Sequence, residues 1–399
     1  MTKKNYDATS SMLGYLYQVR YALYLALQKI VEVEDVESST ITIESLDDVS
    51  FEERGLAIDL IQTKHHIKKK ANLNDKNSDI WKTLRIWSED YKENKNFLSP
   101  DTIRSLVTTS TNATDSIASY LSYNYKERNV YKAIEKLDSI ANSSQDSDEL
   151  STCHKAYNKL DDSEKESLVS SIYIVTNSED IIESEELIKK YCRLTVEEKH
   201  LNAFLERLEG RWFNMAISSM MSKGKNSISL GRLVAEFNDL RIQFLPGNLP
   251  ADYVVLDIEQ NNEDDTRFYI QQLQLINAPA DIMKLAKESY YKASKQRSKW
   301  SRDSLLLVGE LGEYDRIIKD EWTEQKAMVN WKFGYLSQED KGAELYRTCI
   351  KSGLKQIRPS FNHPYVARGT YHILSEQLTI GWHEGYLDRL TNDSEGEVA

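Results

Sequence analysis

Apolar positions return along this chain with two different periods, and the change of period divides it. From Ser10 to Ile30 they recur at helical spacing and predict a first helix, whereas Ile41 to Lys64 reads as two or three strands. Asn77 to Lys95 is helical again. Its Ile80, Trp81, Leu84 and Trp87 stand at i, i+1, i+4 and i+7, a stripe that predicts packing on a sheet and not stacking on bases. The β-branched run Arg104–Thr111 and the segment Ser170–Thr176 predict further strands, separated by a mostly helical insertion from Thr114 to Glu166. From Val196 onward strand signals fade and long helical patterns take over. The expectation is an α/β domain over residues 1–195, with a central mixed sheet flanked by helices, followed by a mainly α-helical domain over 196–399. A chain of 399 residues is long enough for two or three cores.

The strand region also carries chemistry. Glu44, Asp47 and Asp48 form a carboxylate cluster, followed by the strand Leu60-Ile61-Gln62-Thr63-Lys64. Residues two apart on a strand share a face, so Gln62 and Lys64 point the same way. Mg²⁺ (or Mn²⁺) takes oxygen ligands and keeps most of its waters. Asp48 is the expected first metal ligand and Gln62, through its carbonyl oxygen, the second. Lys64 is the expected catalytic cation, orienting or deprotonating the attacking water and neutralising charge on phosphorus. Strand alternation turns Asp47 away from Asp48 and leaves it a supporting role. Taken alone, an Asp-Asp pair is an ordinary turn and a Gln-x-Lys face ordinarily meets water. His65 and His66 follow Lys64, and at most one of them faces the site. His66, Lys68, Lys69 and Lys70 are candidate nucleic-acid contacts, although a triple lysine is also a common solvated tip.

Three segments in order, Gly14-Tyr15-Leu16-Tyr17-Gln18, Ile43-Glu44-x-x-Asp47-Asp48-Val49 and Ile61-Gln62-Thr63-Lys64, resemble the restriction-endonuclease-like fold. The variant is the one in which the Asp…(Asp/Glu)-x-Lys signature is written Asp…Gln-x-Lys. Within it the segments look most like the double-stranded DNA endonuclease effectors associated with CBASS and similar anti-phage systems. The resemblance implies a metal-dependent deoxyribonuclease, with Glu44 as an acidic partner. It also implies Gln18 as a supporting residue, at a helical position where the family often has an acid.

The second half resembles, over nearly its whole length, the C-terminal domain of ABC-three-component proteins, including the Lamassu type. The resemblance rests on Leu208–Phe213, Gln271-Gln272-Leu273, Tyr290–Trp300, Gly309-Glu310-Leu311, Asp320-Glu321-Trp322, Arg368–His372 and Ile380–His383. It implies an effector subunit docked through these helices on an SMC-like ATPase with a small third subunit, held silent until release. Once released, the subunit would act on DNA as a homo-oligomer. The alternative is a catalytically inactive nucleic-acid-binding or scaffolding subunit of the same complex. Read from spacing alone, Tyr290, Ala293, Arg297 and Trp300 are one helix face. His372 and His383 lack a ligand partner at useful spacing and are expected to be structural.

With 51 Lys and Arg against 63 Asp and Glu, the net charge is -12. Duplex binding draws on counterion release by cations, so an acidic chain is expected to bind DNA only when regulated. Cys153, Cys192 and Cys349 lack paired or metal-ligand spacing and are expected to be reduced thiols. No apolar run reaches the ~18 residues that cross a bilayer, and no leader pattern opens the chain, so a cytoplasmic protein without membrane partners is expected.

Overall fold

The β-branched segment after the first helix folds as an antiparallel meander of β1 (Ser39–Ile43), β2 (Val49–Glu53) and β3 (Leu56–Lys64). Arg54 and Gly55 close the β2–β3 hairpin with φ of 49° and 86°, the doubly left-handed loop that matches strand twist. The computed structural model describes residues 9–66, 72–93, 98–143, 145, 149–222, 226–255, 266–351 and 354–391. In chain order the remaining strands are β4 (Asn72–Leu73), β5 (Leu98–Thr108), β6 (Thr111–Asn112), β7 (Ile172–Val175) and β8 (Ser227–Ser229). Six of them make one mixed sheet in the order β7-β5-β3-β2-β1-β8, parallel from β3 through β5 to β7 and antiparallel elsewhere. β4 and β6 pair separately, in parallel.

Parallel neighbours need a crossover, and helix α2 (Ser78–Glu93) supplies the one between β3 and β5. Its predicted stripe is the buried face: Ile80, Trp81, Leu84 and Trp87 are all within 4 % of full burial. They share a core with Leu106, Ile172 and Ile174 of the sheet, with Leu137 and Tyr157 of the insertion, and with Leu168 just after it. Between β6 and β7 the helices are Ile117–Tyr120, Val130–Ser143, Ser151–Asn158 and Asp162–Ser170, the last running past Glu166. Helix α1 (Thr9–Glu32) buries Tyr17, Tyr21, Leu23 and Leu27.

The chain forms two compact units, one of residues 1–195 with 204–239, the other of 196–203 with 240–399. Residues 204–239, beyond the expected boundary, therefore return to the first unit. They add β8 to the free edge of β1, send Trp212 Nε1 to Val19 O at 2.7 Å, and pair Glu209 with Arg20 at 2.6 and 2.9 Å. The second unit is helical throughout its longer elements. Helix Ala280–Arg302 packs on Pro364–Glu376, around Tyr269, Trp300, Tyr314, Phe361, Tyr371 and Trp382. All three cysteines are buried free thiols.

Candidate active site

Residues 44–48 link β1 to β2, whose ends pair at Ile43 and Val49. Glu44 takes a left-handed φ of 54° and donates its N–H to Asp48 O at 3.0 Å, while Ser45 N–H reaches Asp47 O at 3.3 Å. The segment is a tight loop and not a strand, so the alternation that would separate Asp47 from Asp48 does not apply. Both carboxylates turn toward β3. Gln62 Nε2 donates to Asp47 Oδ1 and, at 3.0 Å, to Asp48 Oδ1. Asp48 Oδ2 accepts from Thr63 N–H at 2.8 Å and from Thr63 Oγ1 at 3.1 Å. Lys64 Nζ donates to Gln62 Oε1 at 2.8 Å and stands 4.0 Å from Asp48 Oδ2.

Around these groups lies a cavity of about 690 Å³ whose lining includes Gly14, Gln18, Glu44, Asp47, Asp48, Gln62, Lys64, His65 and His66. Asp47 is 6 % exposed, and Trp87 Nε1 donates to its Oδ2 at 2.7 Å. Burial pushes its carboxyl up to about 6; hydrogen bonds from Trp87 and Gln62 oppose the shift, and the neighbouring charge of Asp48 adds to it. Gln18 is buried and donates to the Asp48 carbonyl at 3.1 Å, so it braces the loop through its backbone and not through the carboxylate. His65 packs at a tilt against Tyr17 with ring centroids 4.8 Å apart, and burial lowers its pKa. His66 Nε2 lies 2.8 Å from Asp79 Oδ2 in the first turn of α2.

The donor set suits a hard divalent cation. One nitrogen, Gln62 Nε2, bonds to both acids, so a single point lies within reach of Asp47 and Asp48 together. One or two carboxylates with retained waters is how Mg²⁺ is usually held. Among the described residues no group of three or more His, Cys, Asp or Glu side chains gathers for a metal ion. For Gln62 to serve as an oxygen ligand its amide must turn over, because its nitrogen now faces the acids.

Of the residues singled out from sequence, Asp48, Gln62 and Lys64 meet, and Asp47 joins them against the alternation argument. Glu44 lines the cavity from an exposed position. Lys68, Lys69 and Lys70 lie outside the described residues. Two site residues were missed: Trp87, read only as core, and Asp79. An indole N–H in a core stripe needs an acceptor, and that was the available signal for Trp87.

The second unit offers a different kind of information. Residues 269–390 match the family described as C-terminal domain 7 of the ABC-three component (ABC-3C) systems. The match supports membership of such a system. No curated protein matches the chain. The ABC-3C region takes in the signposts from Gln271 to His383, whereas Leu208–Phe213 lies in the first unit and outside the match. Within it, buried Gln272 donates to Ser375 O at 2.7 Å and accepts from Trp382 N–H at 3.2 Å. His372 is fully buried between Tyr269 and Tyr346, and burial pushes its pKa down to about 3. His383 Nδ1 accepts from Gly385 N–H at 3.0 Å. No helix among the described residues is long and apolar enough to cross a membrane.

Proposed function

We propose that this chain is the metal-dependent DNA endonuclease effector of an ABC-three component system, built on a restriction-endonuclease-like fold and acting in anti-phage or anti-plasmid defence. The observation that carries the reading is the meeting of Asp47, Asp48, Gln62 and Lys64, from the 44–48 loop and β3, in one open cavity. Asp47 and Asp48 would hold Mg²⁺ or Mn²⁺, with the Gln62 amide beside them. When bound, the metal supplies charge stabilisation at the phosphate and a more acidic water. Lys64 presents a point charge to the same space and offsets the negative charge that builds on phosphorus. The partners in this reading are double-stranded DNA, an SMC-like ATPase and a small third subunit, with a homo-oligomer as the active form. A net charge of -12 suits an effector that engages DNA only after release.

The test is plasmid nicking by the full chain with Mg²⁺ or Mn²⁺. Lys64→Ala and Asp48→Asn are each expected to lower the rate by about 10²-fold or more, the scale of losing one electrostatic stabiliser. Full nicking by Lys64→Ala with its fold intact would sink the assignment. A second reading, an inactive DNA-binding or scaffolding subunit, is favoured by one observation: the Gln62 amide nitrogen occupies the space between the acids. Calorimetric titration with Mg²⁺ and Mn²⁺ separates the two, since an inactive subunit gives no metal-binding heat.

A further inference from the structure

We propose that His66, oriented by Asp79, is the base that takes the proton from the water attacking the phosphodiester. The inference rests on the endonuclease reading and adds a residue to it. His66 lines the same cavity as Asp48, Gln62 and Lys64. Its backbone is fixed twice, by its N–H to Thr109 Oγ1 at 2.9 Å and by Thr109 Oγ1 to its carbonyl at 3.3 Å. Its ring is fixed by Asp79, whose own N–H is held by Asn77 Oδ1 at 2.8 Å. The imidazole keeps 35 % of its side-chain surface open, against 17 % for Asp79. A carboxylate on one ring nitrogen sets the tautomer. With the proton on Nε2, the lone pair sits on Nδ1.

The other basic groups in the cavity are poorly placed for this task. Lys64 Nζ donates to Gln62 Oε1 at 2.8 Å and stands 4.0 Å from Asp48 Oδ2, so it is already engaged as a donor. His65 lies against the Tyr17 ring, and its Nδ1 is buried without a hydrogen-bond partner. His66 combines an acid-oriented ring with an open face, the arrangement of a base held by a third group. In the step, the water oxygen bonds to phosphorus as one of its protons moves to His66 Nδ1. The bond from phosphorus to the leaving nucleotide oxygen breaks, and that oxygen takes a proton from solvent. The plain competing role for the pair is to fasten the end of β3 to α2.

The experiment uses the full chain, Mg²⁺ or Mn²⁺, and a labelled DNA duplex under single-turnover conditions. His66→Ala is expected to cleave about 10²- to 10⁴-fold more slowly, the range of a lost general base. Duplex affinity is measured in Ca²⁺ alongside, so that a lost DNA contact is separated from a lost base, and the slowing should exceed any change in affinity. Added imidazole should restore cleavage in His66→Ala and not in Lys64→Ala, a rescue that a mere fastener would not give. Asp79→Asn is expected to fall about 10- to 100-fold, as for loss of an orienting partner. Independently of activity, ¹⁵N shifts of the His66 ring in the metal-free chain should show the proton on Nε2, and Asp79→Asn should disturb that tautomer. Wild-type cleavage by His66→Ala, a loss that imidazole does not rescue, or a neutral ring protonated on Nδ1 each overturns the proposal alone. A wild-type chain that cleaves no duplex overturns the endonuclease reading and this inference with it.

Discussion

Two adjacent carboxylates with one of them buried are costly unless a cation shares them. Asp47 is in that position, and its raised pKa expresses the cost. The folded value of about 6 exceeds the ordinary 3.8, so between these values the folded chain holds a proton that the unfolded chain has released. Stability from this group is therefore full below about pH 4 and is lost as pH rises through about 6. A metal bound at Asp47 must displace that proton. Mg²⁺ is accordingly expected to raise the Tm of the chain more at about pH 7.5 than at about pH 5, and equal shifts would show that Asp47 takes no part. Trp87 contributes at the same scale. Trp87→Phe keeps most of the buried ring but leaves the Asp47 oxygen without its donor, which should cost about 1–3 kcal/mol in urea unfolding.

At the scale of elements, what was legible followed from periodicity. The α2 stripe read directly, because a helix buries the face its apolar residues define. The β3 pair Gln62 and Lys64 read for the same reason, as a strand fixes which residues share a face. The 44–48 loop did not, since its geometry comes from a left-handed Glu44 and two backbone hydrogen bonds that no period announces. β8 was equally hidden: three residues, Ser227–Ser229, are too short for alternation to register, and tertiary pairing with β1 makes them a strand. In the ABC-3C region the packing of Ala280–Arg302 on Pro364–Glu376 depends on Gly369, where a Cβ would run into Ser289 O and Ala293 Cβ. Gly369→Val should force these helices apart and destabilise their unit by about 1–3 kcal/mol, the scale of overpacking. Thermal unfolding of the full chain reads it, and an unchanged transition would contradict the close approach.

For the whole molecule, the division into units does not follow the change of sequence texture. Residues 204–239 belong with 1–195, so the sheet borrows a strand from beyond the expected boundary. A chain ending at residue 239 should therefore keep a cooperative, protease-resistant first unit. One ending at residue 195 should lose resistance, having given up β8, the Trp212 hydrogen bond and the Arg20–Glu209 pair. Limited proteolysis of both truncations decides the point, and equal resistance would mean that the borrowed segment is dispensable. The matched region, 269–390, lies wholly outside the retained chain in either case, so the comparison bears on the sheet alone.

β8 also imposes a timetable on biosynthesis. The outer margin of β1 stays unpaired until Ser227–Ser229 have left the ribosome, long after β1 itself has been made. The proposed nuclease sheet is thus finished late, yet before the ABC-3C region at 269–390 leaves the ribosome. A ribosome that stalls before that point releases a nascent chain with a bare strand, the kind of species that chaperones retain.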